Sequence, residues 1–82
     1  MSCLVVYDAP AARQKATLPT SAIGALNTLE SALERDPWAV GGRMHSGLKT
    51  MREAPFGSFG FITFVIEDSR VRVTVMNVVW TG

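Results

Sequence analysis

The sequence predicts an α+β fold in which two helices come first and an antiparallel meander of strands comes last. Two observations support this class. Between residues 20 and 36, apolar residues recur at steps of three and four, which is the helical period. After residue 48, short β-branched and aromatic runs alternate with turn residues, as consecutive strands do. The predicted order is β-α-α-β-β-β, in a single domain over residues 1–82.

The first predicted elements are a strand and a short helix. The run from Cys3 to Tyr7 is β-branched and aromatic, and its apolar character on both faces predicts an interior strand. Asp8 suits the N-cap of a helix, and Pro10 suits a first helical turn. We therefore expect a short helix over residues 11–16.

The second helix is predicted to begin at Thr20 or Ser21, either of which can cap it. It ends at Asp36, because Pro37 disfavours a helical residue before it. One apolar stripe runs along this helix, and we expect it to pack on one face of the meander. The stripe consists of Ala22, Leu26, Leu29 and Leu33.

Three strands are predicted after a loop that carries glycine and serine. The first alternates apolar and polar residues, the second is almost continuously apolar, and the third places its valines on one face. These patterns predict a meander joined by tight turns. The predicted strands span residues 48–54, 59–66 and 70–80, with turns at residues 55–58 and 67–69.

The last strand carries a prediction about its final tryptophan. Val73 and Val75 share one face, whereas Arg70 and Arg72 share the other. Continued alternation places Trp80 with the arginines, away from the face that the helices cover. Indoles are favoured at protein interfaces, so Trp80 is predicted to anchor a partner, with packing against a neighbouring loop as the alternative.

Composition limits the function classes. The net charge is only +1, and the cations concentrate in the second half of the chain. No stretch of about 18 apolar residues occurs, so no membrane span is expected. Residues 1–8 lack the features of a secretory signal. Cys3 is the only cysteine and cannot form an internal disulfide, which is typical of a reducing cytoplasm.

Classical enzyme signals are few. One histidine and one cysteine cannot build a metal cluster, so no metal or cofactor is predicted. A group of protonatable or cationic side chains spans the loop and the first meander strand, where they could neutralise the phosphates of a nucleic acid. The alternative is a solvated strand edge without function. The group comprises Arg43, His45, Lys49 and Arg52.

In order and spacing, these elements resemble the RelE/ParE superfamily of toxins from bacterial toxin–antitoxin pairs. The resemblance spans nearly the whole chain, and the last strand is similar to the tail of actinobacterial members. The features that carry it are the strand Leu4-Val5-Val6-Tyr7, the Leu-x-x-Asp-Pro stop at residues 33–37, the arginine strand at Met51-Arg52, the Gly-x-aromatic entry at residues 57–59, the acidic hairpin turn, and the tail at residues 73–82.

Two positions depart from the pattern of those members. Where they often carry arginine, this chain has Gly60 and Trp80. The mRNA-cleaving toxins that the chain resembles rely on a cationic cluster. Loss of two arginines would therefore remove charge stabilisation of the transition state, by several orders of magnitude in rate.

The resemblance implies, first, a metal-independent endoribonuclease toxin that cleaves mRNA at the ribosome and is neutralised by a cognate antitoxin in the cytoplasm. In that function Lys49 and Arg52 would hold phosphates and stabilise the transition state, and Arg43 would add to RNA binding. His45 would shuttle a proton near neutral pH.

The alternative that the resemblance implies is a protein of this fold without nuclease activity. It would be a ParE-like gyrase inhibitor, or a decayed toxin that only binds an antitoxin. Gly60 and Trp80 favour this alternative, whereas the basic second half and His45 favour the nuclease. A homodimer is a further option for either.

Overall fold

The computed structural model describes residues 3–43, 51–67 and 72–82, and it has the predicted α+β class. One two-residue strand is added to the predicted order, between the helices and the meander. The elements are β1 (Leu4–Tyr7), α1 (Ala9–Ala16), α2 (Thr20–Arg35), a 3₁₀ turn (Pro37–Ala39), β2 (Gly42–Arg43), β3 (Met51–Phe56), β4 (Gly60–Glu67) and β5 (Arg72–Trp80).

The described strands form one mixed sheet in the order β1-β5-β4-β3-β2. β3, β4 and β5 form the predicted antiparallel meander. β1 runs parallel to β5, with Leu4 opposite Arg72. The two helices carry the chain from β1 to β2 at the opposite edge of the sheet, and the following strands return it to β5 beside β1. The prediction that β1 is an interior strand is wrong, because β1 lies at the sheet edge and Leu4 is 60% exposed.

Local sequence explains where the helices begin. Asp8 is the N-cap of α1, and its carboxylate accepts a hydrogen bond from the Ala11 N–H at 3.0 Å. α2 begins after Pro19, which holds the N-cap position without a side-chain hydrogen bond. Neither Thr20 nor Ser21 therefore caps α2 as predicted, and both lie within its first turn.

The hydrophobic core lies between the helices and one face of the sheet. The predicted stripe of α2 is buried, with Leu26 and Leu33 at 0% exposure. It belongs to the same buried cluster as Phe64, Val73 and Val75 of the sheet. The prediction that the apolar stripe of α2 lies in the core is therefore confirmed.

The turn between β3 and β4 is shorter than predicted. Pro55 and Phe56 belong to β3, and the turn occupies residues 57–59. Gly57 has a φ of +61°, which glycine adopts without the penalty that a Cβ imposes. Pro55 pairs with Phe61 of β4, but on its other side the pairing of β3 with β2 reaches only Glu53, so Pro55 has a partner strand on one side only, as is usual for proline in a sheet.

A β-bulge interrupts the pairing of β5 with β4. Thr63 pairs with Asn77, whereas the next residue of β4, Phe64, pairs with Val75. Met76 is thus an extra residue in β5 without a partner in the register. A single inserted residue of this kind shifts the alternation of side chains between the two faces of a strand.

The bulge reverses the predicted orientation of the last tryptophan. Beyond Met76, Val78 rather than Val79 is buried. Trp80 follows Val78 at a spacing of two, so it lies on the core side of β5 and packs against the buried cluster. The prediction that Trp80 points away from the core is therefore wrong.

Candidate nucleic-acid and partner site

The predicted site residues fall into three groups in the structure. Arg52 and Trp80 have described side chains, at opposite ends of the meander. Arg43 lies in β2 with its backbone directly opposite Arg52, and its side chain is outside the described part. His45 and Lys49 lie outside the described residues.

The Arg52 guanidinium contacts the loop that precedes β2. Its Nε donates a hydrogen bond to the carbonyl oxygen of Val40 at 3.3 Å. Its Nη2 donates to the carbonyl oxygens of Trp38 at 3.4 Å and Gly41 at 3.2 Å. The guanidinium carbon also lies 5.8 Å from the centre of the Trp38 ring, within the range of a cation–π interaction. Arg52 therefore contacts three carbonyl groups and one aromatic ring of a single loop.

The groups around the Arg52 guanidinium are electrostatically favourable for a cation. The carbonyl oxygens of the loop carry partial negative charge, and the face of the Trp38 ring is also negative. Both partly offset the charge of Arg52 within the protein.

An aromatic cluster forms at the other end of the meander, and we call it the aromatic corner: Phe56, Phe59 and Trp80 around Gly60. The rings of Phe56 and Trp80 stack with centroids 5.7 Å apart. Phe59 meets Trp80 edge-on at 6.0 Å and is 57% exposed. The aromatic corner thus combines a buried ring stacked on a partly buried one with a third ring that faces solvent.

Gly60 is required by this arrangement. In the register it pairs with Phe56 on one side and with Trp80 on the other. A Cβ at residue 60 would lie 2.6 Å from Cζ of Phe56, well inside van der Waals contact. No side chain fits at residue 60 while the Phe56 ring stays in place. The two departures from the resembled pattern, Gly60 and Trp80, therefore form one packed unit.

Gln14 forms hydrogen bonds with the part of β5 that lies beyond the end of β1, and sequence reasoning did not identify it. β1 pairs with β5 only as far as Val75. Beyond it, the Gln14 Oε1 accepts a hydrogen bond from the Val78 N–H at 2.9 Å, and its Nε2 donates to Asn77 Oδ1 at 2.9 Å. No signal in the sequence shows that the Val78 N–H needs a side-chain acceptor, because that depends on where β1 ends.

An open groove of about 360 Å³ lies between the end of α1 and the end of β5. Gln14 and Leu18 line one side of it, and Val78 and Trp80 line the other. The groove joins the aromatic corner through Trp80, so this end of the molecule presents both apolar and hydrogen-bonding groups.

A second polar cluster joins β1 to both helices. Tyr7 donates a hydrogen bond from its hydroxyl to Glu30, which also forms an ion pair with Lys15 at 3.2 Å. Burial and the neighbouring Glu30 carboxylate raise the pKa of Tyr7 well above its ordinary value. The Lys15 ammonium lies 4.5 Å from the centre of the Tyr7 ring. The cluster links β1, α1 and α2 through side-chain contacts and so stabilises their packing.

Across residues 3–43, 51–67 and 72–82, no three His, Cys, Asp or Glu side chains are grouped as metal ligands would be. None of the helices in that part of the chain is long and apolar enough to cross a membrane.

No protein-family model matches the sequence, and no curated protein matches it. Solved structures do match. A chain of the toxin–antitoxin complex RelBE2 from Mycobacterium tuberculosis has a TM-score of 0.85 at 21% identity, over 99% of this chain and 100% of that one.

Two structures from E. coli are also similar. The isolated RelE toxin has a TM-score of 0.78 at 19% identity, over 99% of this chain and 86% of that one. The intact RelBE toxin–antitoxin complex contains a chain with a TM-score of 0.78 at 15% identity, over 99% of both. As the sequence resemblance implied, the chain has the fold of the RelE toxins.

Proposed function

We propose that this chain is the toxin of a toxin–antitoxin pair and is held inactive by a protein antitoxin. The observation that carries the proposal is the likeness of fold over essentially the whole length of both chains, with a TM-score of 0.85 for the RelBE2 complex. The similar structures include toxin–antitoxin complexes and E. coli RelE with an antitoxin peptide. The exposed aromatic side chains of Trp38 and Phe59 are available to such a partner.

Within this role we propose metal-independent endoribonuclease activity on mRNA at the ribosome. Cleavage of a phosphodiester by such a site needs cations against the developing negative charge and a group that transfers a proton. Arg43 and Lys49 are the proposed phosphate contacts and His45 the proposed proton carrier. The phosphate contact predicted for Arg52 stays a prediction, since its guanidinium already meets three loop carbonyls.

A second candidate function is binding without RNA cleavage, and the aromatic corner favours it. Gly60 and Trp80 occupy positions where the resembled toxins often carry arginine, and Phe56 fills the space above Gly60. A site without those two charges loses transition-state stabilisation but keeps a surface for a protein partner. The partner would be the antitoxin alone, or DNA gyrase as for ParE-like proteins.

Induced expression in a bacterial host separates the two functions. The nuclease arrests growth and creates new 5′ ends in cellular transcripts, which primer extension maps. His45→Ala and Lys49→Ala should abolish both effects. Arg13→Ala, which removes a charge from the exposed surface of α1, should leave both unchanged. Growth arrest without new 5′ ends would favour gyrase inhibition, which a DNA supercoiling assay tests directly. Absence of growth arrest would favour a protein that binds only the antitoxin.

A further inference from the structure

We propose that Arg52 is a positioning residue, which acts by fixing the loop from Trp38 to Gly41 on β3 rather than by contacting a phosphate. The role follows from its contacts. Nε and Nη2 together reach the carbonyl oxygens of Trp38, Val40 and Gly41, at distances of 3.2 to 3.4 Å. The Trp38 ring lies against the same guanidinium.

The carbonyl groups of this loop suit a donor with the planar shape of a guanidinium. A 3₁₀ turn covers Pro37–Ala39, and the carbonyl groups at the end of a helical turn have no partner within it. The guanidinium of Arg52 is a planar fork with five N–H donors, so one side chain can serve several acceptors at fixed angles. A lysine ammonium is a compact point charge and does not reproduce that geometry.

A second feature holds the same loop against β3. Gly41 has a φ of +70°, which favours glycine. A Cβ on Gly41 would also clash with the carbonyl oxygen of Glu53, so the two backbones approach more closely than any other residue allows. Gly41 and Arg52 thus fix the loop at adjacent points of β3.

The consequence concerns Arg43. β2 follows Gly41 directly, and its two residues pair with Glu53 and Arg52. Whatever fixes the loop therefore also fixes the register at which Arg43 leaves the sheet. This step rests on the proposed nuclease function. In that function Arg52 sets the backbone position of Arg43, and loss of Arg52 lowers activity through geometry rather than through lost charge.

Hydrogen exchange on the free protein tests the positioning role without any RNA. Arg52→Ala should raise amide exchange over residues 38–43 about tenfold, while exchange in α1 and β5 stays as in the wild type. Arg52→Lys keeps the charge and should not restore protection. Arg13→Ala is the matched loss of an exposed arginine and should change nothing in the loop. Unchanged loop exchange in Arg52→Ala, or full protection in Arg52→Lys, would overturn the proposal.

The salt dependence of RNA affinity tests the absence of a phosphate contact. Each phosphate contact to a single strand contributes about 0.7 to the slope of log affinity against log salt concentration. With a labelled single-stranded oligoribonucleotide, Arg52→Ala should weaken binding and leave that slope unchanged. A slope reduced by about 0.7 would show a direct phosphate contact and reject the proposal. If the wild type binds no free RNA, mapping of new 5′ ends in transcripts decides the nuclease function, and hydrogen exchange decides the role of Arg52.

Discussion

Gly60 and Trp80 are register partners in neighbouring strands, and the Phe56 ring lies over Gly60 and stacks on Trp80. The absence of a side chain at residue 60 and the presence of an indole at residue 80 are thus one structural feature. Neither position can be changed alone without disturbing the packing of the other. This coupling leads to the first of five predictions.

Gly60→Ala should destabilise the protein by about 1–3 kcal/mol in denaturant titration, because the new methyl group overlaps the buried Phe56 ring. Removing that ring should relieve the overlap. The double variant Gly60→Ala with Phe56→Ala should therefore show a coupling energy of about 0.5–3 kcal/mol relative to the single variants. Additive losses would mean that the ring moves aside freely.

Gly24→Ala should change the free energy of unfolding in the opposite direction. Gly24 lies on the exposed side of α2, and a Cβ there would meet no atom within 4 Å. The substitution should stabilise the protein by up to about 1 kcal/mol, since glycine is the poorer residue in a helix interior. Thermal or denaturant unfolding measures the gain, and a loss of stability would show that α2 is packed on this side.

Leu26→Ala should lower the free energy of unfolding by about 2–5 kcal/mol, as for other fully buried leucines. The matched control is Leu4→Ala, which makes the same truncation at the exposed edge strand β1. It should change stability by less than about 0.5 kcal/mol. Equal losses for the two variants would contradict the assignment of α2 to the core and of β1 to the edge.

Trp80 should emit at shorter wavelength than Trp38 in the isolated protein, because it is half-buried in the aromatic corner while Trp38 is 46% exposed. Trp38→Phe and Trp80→Phe isolate the two signals, since the chain has only these two tryptophans. The predicted partner role of Trp80 is tested by adding the antitoxin. A change in Trp80 emission and weaker binding by Trp80→Phe would support it, and an unchanged affinity would count against it.

Alkaline pH should destabilise the protein through Tyr7. Burial, followed by the Glu30 contact, raises the pKa of Tyr7 in the folded state above the unfolded value of about 10. Above that pH the unfolded chain loses a proton that the folded chain keeps, so the free energy of unfolding falls as pH rises.

The matched variant for that effect is Tyr7→Phe, which removes the chain's only tyrosine. Its stability should fall less steeply with pH above about 10 than that of the wild type. Unfolding titrations at a series of alkaline pH values measure both slopes. Identical slopes for the two proteins would show that Tyr7 loses its proton as readily in the folded state as in the unfolded one.

Local patterns predicted the parts of the fold that depend on local physics. The Asp8 cap follows from the geometry of a helix start, and the buried stripe with Leu26 and Leu33 follows from the helical period. The class and order of elements follow from the same signals. These features need no knowledge of which strands become neighbours.

The parts that could not be predicted depend on long-range register. The bulge at Met76 turns Trp80 toward the core, and nothing near Met76 in the sequence marks it. β1 has an apolar sequence yet lies at the sheet edge, because it pairs only with β5, which is distant from it in the chain. The contacts of Arg52 with the loop likewise require the pairing of β2 with β3.

The parallel pairing of β1 with β5 has a consequence for biosynthesis. Leu4 is synthesised early, but its partner Arg72 belongs to β5, which comes last in chain order among the described strands. Until then β1 has no neighbour, and the leucines of α2 lack the valines of β5 that share their core. Assembly of this sheet must therefore wait until β5 has been synthesised.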